Sequence, residues 1–252
     1  MRYVWDQFDT YFRQPRTSML VRIGAEATRS YLQHWDSKTS KRVDTFICNS
    51  QNIRRKIRDY YNRESQVIHP PVDLSFFRPG GAKDSFYLMV GAFAPNKRVD
   101  LAVKAFNQLK LPLKIAGRGQ DEAYCRSIAE ENIEFHGTLS NKKLLELYQQ
   151  ARALVFPGED DFGITPLEAQ ACNTPVIAFA SGGALETVSE KTGIFFKEQT
   201  EDALCEAVEK MERSWKDFSP EAFFSQTKKF GRETFKNKIA DVIENCFREW
   251  MA

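Results

Sequence analysis

FPGEDDFGITPLEAQACNTPVIAF, residues 156–179, is the stretch on which the reading of this chain turns. A strand ends at Phe156-Pro157 and an acidic loop, Gly158-Glu159-Asp160-Asp161, follows. Gly163 then lets the backbone approach a ligand closely. A helix is expected from about Ile164, with Pro166 in its first turn, where a missing N–H costs little. The amides of Gly163, Ile164 and Thr165 would point out of the helix N-terminus and suit an anion such as a diphosphate. Asp160 and Glu168 stand eight positions apart, one in the loop and one in the helix, so both can flank a single ligand. A Glu on a helix is ordinarily solvated, and a loop Asp ordinarily caps. Here the glycine, the proline and the small residues around them set this segment apart.

Outward from it, short apolar runs alternate with helical patterns. The expected strands are FYLMVG (86–91), LKIAG (113–117), IEFHG (133–137), ALVFP (153–157), PVIAF (175–179) and GIFF (193–196). Between them lie helical stretches at 97–109, 121–131, 140–151 with Ser140 as N-cap, 164–172 and about 200–213. Val99, Val103 and Phe106 share one face of the first of these. This alternation predicts an α/β fold, a doubly wound parallel sheet of Rossmann-like type. Its strands are continuous apolar runs, as expected when helices cover both faces. A strand opening at the carboxyl edge of such a sheet is where ligands bind.

Residues 1–69 read differently. A long helix is expected over about 20–40, a strand over VDTFICNS (43–50) and a basic helix over NIRRKIRDYY (52–61). Pro70-Pro71 force an extended passage, so we divide the chain into 1–69, 70–228 and a terminal helical stretch, 229–252. Residues 1–70 hold thirteen Lys and Arg against seven Asp and Glu, although the whole chain is only +2. Such a basic part can meet an anionic partner, including a membrane surface, or can be a solvated helix face. The near-neutral total gives no argument for nucleic acid. Five scattered cysteines with no CxxC pair argue against a disulfide framework or a zinc site and for a reducing, cytoplasmic setting. No run approaches the roughly 18 apolar residues of a membrane span.

The ordered motifs over about 49–190 resemble the large retaining glycosyltransferase family 4, of GT-B architecture. That family carries a Glu-x7-Glu motif in a context like EGFGxxxLEAMACGTPVIA; this chain has DDFGITPLEAQACNTPVIA. The resemblance implies that Glu168 binds the nucleotide ribose and that Asp160, standing where the family has Glu, contacts the donor sugar, with Glu159 as its alternative. VGAFAPNKRVDLAVKAF (90–106), opened by Gly91, is similar to the family block whose cations bind the donor diphosphate. Lys97 falls on the family lysine with Arg98 beside it, while Ala92 replaces a common Arg. Gly117-Arg118-Gly119 resembles the turn beside the nucleobase, and Thr138-Leu139 lies in a loop that would line the base pocket. HPPVDLSFF (69–77) resembles the opening of the donor domain.

The implied reaction is transfer of a hexose, of mannose or rhamnose type, from a GDP- or UDP-linked sugar to a sugar or lipid-linked acceptor. It would retain the anomeric configuration and belong to surface-polysaccharide synthesis. Lys97 and Asp160 would be the catalytic pair, and no metal or other cofactor is expected. MRYVWD (1–6) resembles the acceptor domain of a mannosyltransferase-like branch whose catalytic-site histidine lies just before this motif. None of His34, His69 or His136 takes that position. We therefore expect an acceptor domain that is incomplete, and a second reading as a non-catalytic nucleotide-sugar-binding module. A sugar-nucleotide epimerase is disfavoured by the Asp160/Glu168 context. A Rossmann dehydrogenase is excluded, since no GxGxxG turn follows a first strand.

Overall fold

A computed structural model describes residues 2–13 and 17–251. Helices α1 (Phe8–Phe12) and α2 (Met19–Ser40) lead to strand β1 (Ile47–Cys48), helix α3 (Gln51–Tyr61) and strand β2 (Gln66–Val67). Strand β3 (Tyr87–Val90), helix α4 (Val99–Leu109), strand β4 (Leu113–Ala116), helix α5 (Glu122–Ile128) and strand β5 (Ile133–Gly137) follow. Then come α6 (Asn141–Gln150), β6 (Leu154–Phe156), α7 (Ile164–Ala171), β7 (Val176–Phe179), α8 (Ala184–Thr187) and β8 (Gly193–Phe196). Helices α9 (Glu201–Ser214), α10 (Pro220–Thr227) and α11 (Arg232–Met251) complete the chain.

The main sheet has the order β5-β4-β3-β6-β7-β8, with every neighbouring pair parallel. This is the expected doubly wound arrangement. The chain winds outward from β3 to β5, returns to β6 beside β3, and winds out the other way. The reversal leaves a crevice between the loops that follow β3 and β6. Both faces are packed: Val99, Val103 and Phe106 of α4 join Tyr87, Ile115 and Val155 in one core, while Leu88, Leu154 and Tyr148 lie in the other. Ser140 caps α6 as expected, accepting from the Lys143 amide.

Two local expectations need correction, and one element was not foreseen. The helix expected from residue 97 starts only at Val99. Pro95–Lys97 form a 3₁₀ turn and Arg98 adopts a left-handed conformation, φ 54° and ψ 43°, that separates the two. The strand expected over 43–50 is reduced to Ile47–Cys48, paired in parallel with Gln66–Val67. Its upstream carbonyls are taken elsewhere, because the Arg63 guanidinium donates to the carbonyls of Ser40, Val43 and Asp44. Helix α10 was not anticipated, although Ser219 caps it and Pro220 occupies its first turn.

Residues 3–12 fold under α2 and α3. Trp5 stacks on Tyr60 at 4.6 Å and donates to Asp36, while Arg29 lies 4.2 Å over the buried Phe8 ring. At the other end, Cys246 of α11 donates to the Thr45 hydroxyl at 3.4 Å. Among the described residues no helix is long and apolar enough to cross a membrane.

Leu154 is fully buried on the central strand β6. Leu154→Ala is expected to lower the unfolding free energy by about 2–5 kcal/mol, the range for buried leucine truncation, as read from urea denaturation.

Candidate functional site

The carboxyl edge of the sheet gathers the loops singled out in the sequence. Gly91 follows β3, Gly117 follows β4, Gly137 ends β5 and Pro157–Phe162 follow β6. These loops interlock through their backbones. The Gly91 amide donates to Ala116, the Gly117 amide to Gly137, and the Phe93 amide to Arg118. Gly117, at φ 140°, lies so close to Gly91 that an added Cβ would sit 1.8 Å from the Gly91 oxygen. Arg118 lays its guanidinium against Gly137 and is otherwise largely exposed, with Glu122 at 3.9 Å. Thr138 is exposed, and Leu139 tucks against the second core.

The decisive contact lies between the loops after β3 and β6. A Cβ on Gly158 would fall 2.3 Å from the Asn96 carbonyl oxygen and 2.6 Å from Lys97 Cα. The Glu159 amide donates to that same carbonyl at 3.1 Å. Two loops in backbone contact bring their side chains together: the Lys97 ammonium pairs with Oδ2 of Asp160, and Asn96 Nδ2 reaches Oδ1 at 3.4 Å. Lys97 and Asp160 are therefore neighbours. Lys97 ends a 3₁₀ turn two residues before α4 begins at Val99, and its charge is offset by Asp160.

Gly163 begins α7 in the left-handed region, φ 86°, with the Phe156 ring 3.4 Å from where a Cβ would stand. No side chain caps this end. The first amides of any helix lack intrahelical partners, and Ile164 is exposed while Thr165 is half-buried. One turn on, Glu168 accepts a hydrogen bond from the Tyr148 hydroxyl at 2.8 Å. Burial raises the Glu168 carboxyl above its ordinary range, and the phenol hydrogen bond only partly offsets this. Among the described residues no cation partners it.

The remaining candidates lie apart from this group. Arg98 is engaged by Asp100 at 3.4 Å and by Gln199 at 3.3 Å, beside the start of α9. Glu159 turns toward the N-terminal part: Ser181 donates to it at 2.9 Å and Lys56, itself paired with Asp6, stands 3.4 Å away. A cavity of about 750 Å³ opens there, lined by Asp6, Lys56, Asn96, Arg98, Tyr124 and Glu159 among others. Met1, first residue of the MRYVWD motif, lies outside the described residues. Sequence reasoning missed Tyr148, Asn96, Ser181 and Lys56. Lys56 read as one more cation on a solvated basic helix, and nothing local marks Tyr148 as the partner of a residue twenty positions away.

Residues 74–230 match the family described as glycosyl transferases group 1. The chain belongs to that family. A D-inositol 3-phosphate glycosyltransferase of Mycobacteroides abscessus is 29% identical over 189 residues, 64% of this chain and 42% of the relative. A GDP-mannose-dependent monoacylated alpha-(1-6)-phosphatidylinositol monomannoside mannosyltransferase of Corynebacterium glutamicum is 28% identical over 201 residues, 67% and 53% of the two chains. The chain thus spans about half the length of these relatives. Among solved structures, Anabaena HepE in complex with UDP and glucose superposes with a TM-score of 0.75 at 16% identity, over 84% of this chain and 66% of that one. That likeness supports the GT-B fold. The loops described above lie at the switch point of this sheet, between β3 and β6.

A carboxyl whose folded-state pKa is raised costs stability once it ionises, and does so increasingly as pH rises through that pKa. Glu168→Gln keeps the acceptor for Tyr148 and removes the charge. The variant is expected to match the parent in thermal melts near pH 4 and to melt higher near pH 7. Equal melting at both pH values would contradict the strain assigned to Glu168.

Proposed function

We propose that the chain binds a nucleoside diphosphate sugar across the β3 and β6 loops and takes part in retaining hexosyl transfer, in the manner of family 4. The observation that carries this reading is the Lys97–Asp160 pair held beside the uncapped N-terminus of α7, with the Glu168 carboxylate one turn further on. A diphosphate placed at the α7 amides meets partial positive charge. Lys97 can turn from Asp160 to a phosphate oxygen and so stabilise the leaving diphosphate without a metal ion. Asp160, released from the ammonium, is then placed to accept from a hydroxyl of the donor sugar. Glu168, poorly partnered in its half-buried site, gains the two hydroxyls of a ribose.

The mannosyltransferase among the relatives supports a mannose- or rhamnose-type donor, and the UDP in complex with HepE supports a nucleotide as part of the ligand. A sugar or lipid-linked acceptor would approach from the side of the N-terminal part, where the 750 Å³ cavity opens beside Asn96 and Glu159. Contact with an anionic membrane face through the basic residues of α2 and α3, from the cytoplasmic side, completes the proposal.

Calorimetric titration of the chain with GDP and UDP, with release of nucleoside diphosphate from mannosyl, rhamnosyl and glucosyl donors, tests it. Binding with neither release nor transfer selects the binding-module reading. A folded chain that binds neither nucleotide removes both. Glu168→Ala is expected to weaken nucleotide binding by about 1–3 kcal/mol, the range for hydrogen bonds to a charged group; unchanged affinity rejects the ribose role.

A further inference from the structure

The segment 181–187, just after β7, touches the β6 loop on one side and the N-terminal part on the other. Toward the β6 loop its contacts leave no room. The Gly183 amide donates to the Asp160 carbonyl at 2.9 Å, and a Cβ on Gly182, φ 61°, would stand 2.4 Å from that same oxygen. A Cβ on Gly183 would meet Phe162 Cα at 2.2 Å. Ser181 adds its hydrogen bond to Glu159.

Toward the N-terminal part the same segment offers Glu186. Its two carboxylate oxygens accept from the first amides of α3, Gln51 at 2.9 Å and Asn52 at 3.1 Å, and His69 Nε2 stands 3.1 Å from Oε2. Burial pushes the Glu186 carboxyl up, but the His69 contact and the two amides together outweigh it and hold the group below the usual range. A carboxylate at a helix N-terminus also opposes the helix dipole favourably. His69 in turn stacks on Phe162, centroids 5.5 Å apart and rings 20° from parallel. Phe162 immediately precedes Gly163. Gln226 of α10 braces the segment, donating to the Glu186 and Thr187 carbonyls at 3.1 Å.

We infer that Glu186 is a positioning residue that clamps α3 and His69 to the segment packed against Asp160 and Phe162, so that the state of the β6 loop and the placement of α3 are coupled. The nature of the ligand that exploits this coupling rests on the proposed donor site; the coupling itself does not. Lys56 lies on α3 and faces Glu159, so a displaced α3 withdraws one wall of the cavity beside the β6 loop. Coupling between two sites is reciprocal. A ligand that orders the β6 loop must therefore tighten the α3 N-terminus, and a break at Glu186 must loosen the loop.

Hydrogen–deuterium exchange on the full chain tests this. In Glu186→Ala, exchange is expected to rise about tenfold at amides 51–52, and by a smaller but measurable factor over 160–163, with β3 unchanged. If Glu186→Ala does not fold, Glu186→Gln, which keeps the volume and one acceptor, is expected to show the same pattern at reduced size. Faster exchange confined to 51–52 would overturn the inference, leaving Glu186 a local helix cap. Added UDP or GDP is expected to slow exchange at 51–52 in the parent and to lose that effect in the variant. Nucleotide that binds without moving those amides overturns the coupling. If neither nucleotide binds, the donor-site reading fails, and the exchange map over 160–163 in the variant decides the inference alone.

Discussion

The contact of Gly158 with the Asn96-Lys97 backbone is the constraint from which the site follows. In a doubly wound sheet the loops leaving the two strands at the switch point diverge and leave a crevice. Here a missing side chain at residue 158 lets them close again beyond the strand ends. Backbone contact at that distance fixes two side chains of opposite sign as neighbours and half-buries both. The pair also sets a threshold for ligands. Lys97 is already neutralised by Asp160, so a neutral or weakly anionic molecule gains little from displacing it. On the proposed reading a diphosphate would carry enough charge to compete, because the α7 amides would act on it at the same time.

The strands and the chemistry-bearing loops were legible in the sequence because both rest on local rules. Continuous apolar runs such as YLMV and VIAF have few alternatives once helical patterns flank them. The Ser140 cap and the start of α7 after Gly163 follow from backbone preferences of single residues. What the sequence hid depends on long-range partners. Arg98 holds a left-handed conformation rare for a residue with a Cβ, and that one residue moves Lys97 out of the helix in which periodicity places it. The strand expected at 43–50 fails because Arg63, twenty residues on, claims its carbonyls. The pairing of Tyr148 with Glu168 joins two helices on the same side of the sheet and leaves no mark on either.

The residues 1–67 illustrate the same limit from another side. Their composition reads as basic, aromatic and helical, which is compatible with a solvated surface. In the fold several of these groups are committed: Lys56 to Asp6 and Glu159, Arg29 to the Phe8 ring and the Val4 carbonyl, Tyr61 to Asp36. A charge excess counted along the chain therefore overstates the cations left for an external anion. Those that remain exposed include Arg22, Lys38, Lys41, Arg42, Arg54, Arg55 and Arg58, on α2, just after it and on α3.

Two glutamates eighteen residues apart show how differently the fold satisfies two carboxylates at one edge of the sheet. Glu186 has two amides and an imidazole, and its carboxyl is held low despite burial. Three of its roughly four acceptor positions are in use, and removing the group should cost structure. Glu168 has one phenol, and burial holds its carboxyl high. A half-buried acid with a single neutral partner is an unfavourable element of the free protein. It becomes favourable only if a ligand brings donors to its remaining oxygen. Both residues follow a glycine-bearing loop at the same edge of the sheet, so neither spacing nor helix position distinguishes them. The difference lies in how completely the surrounding chain satisfies each one.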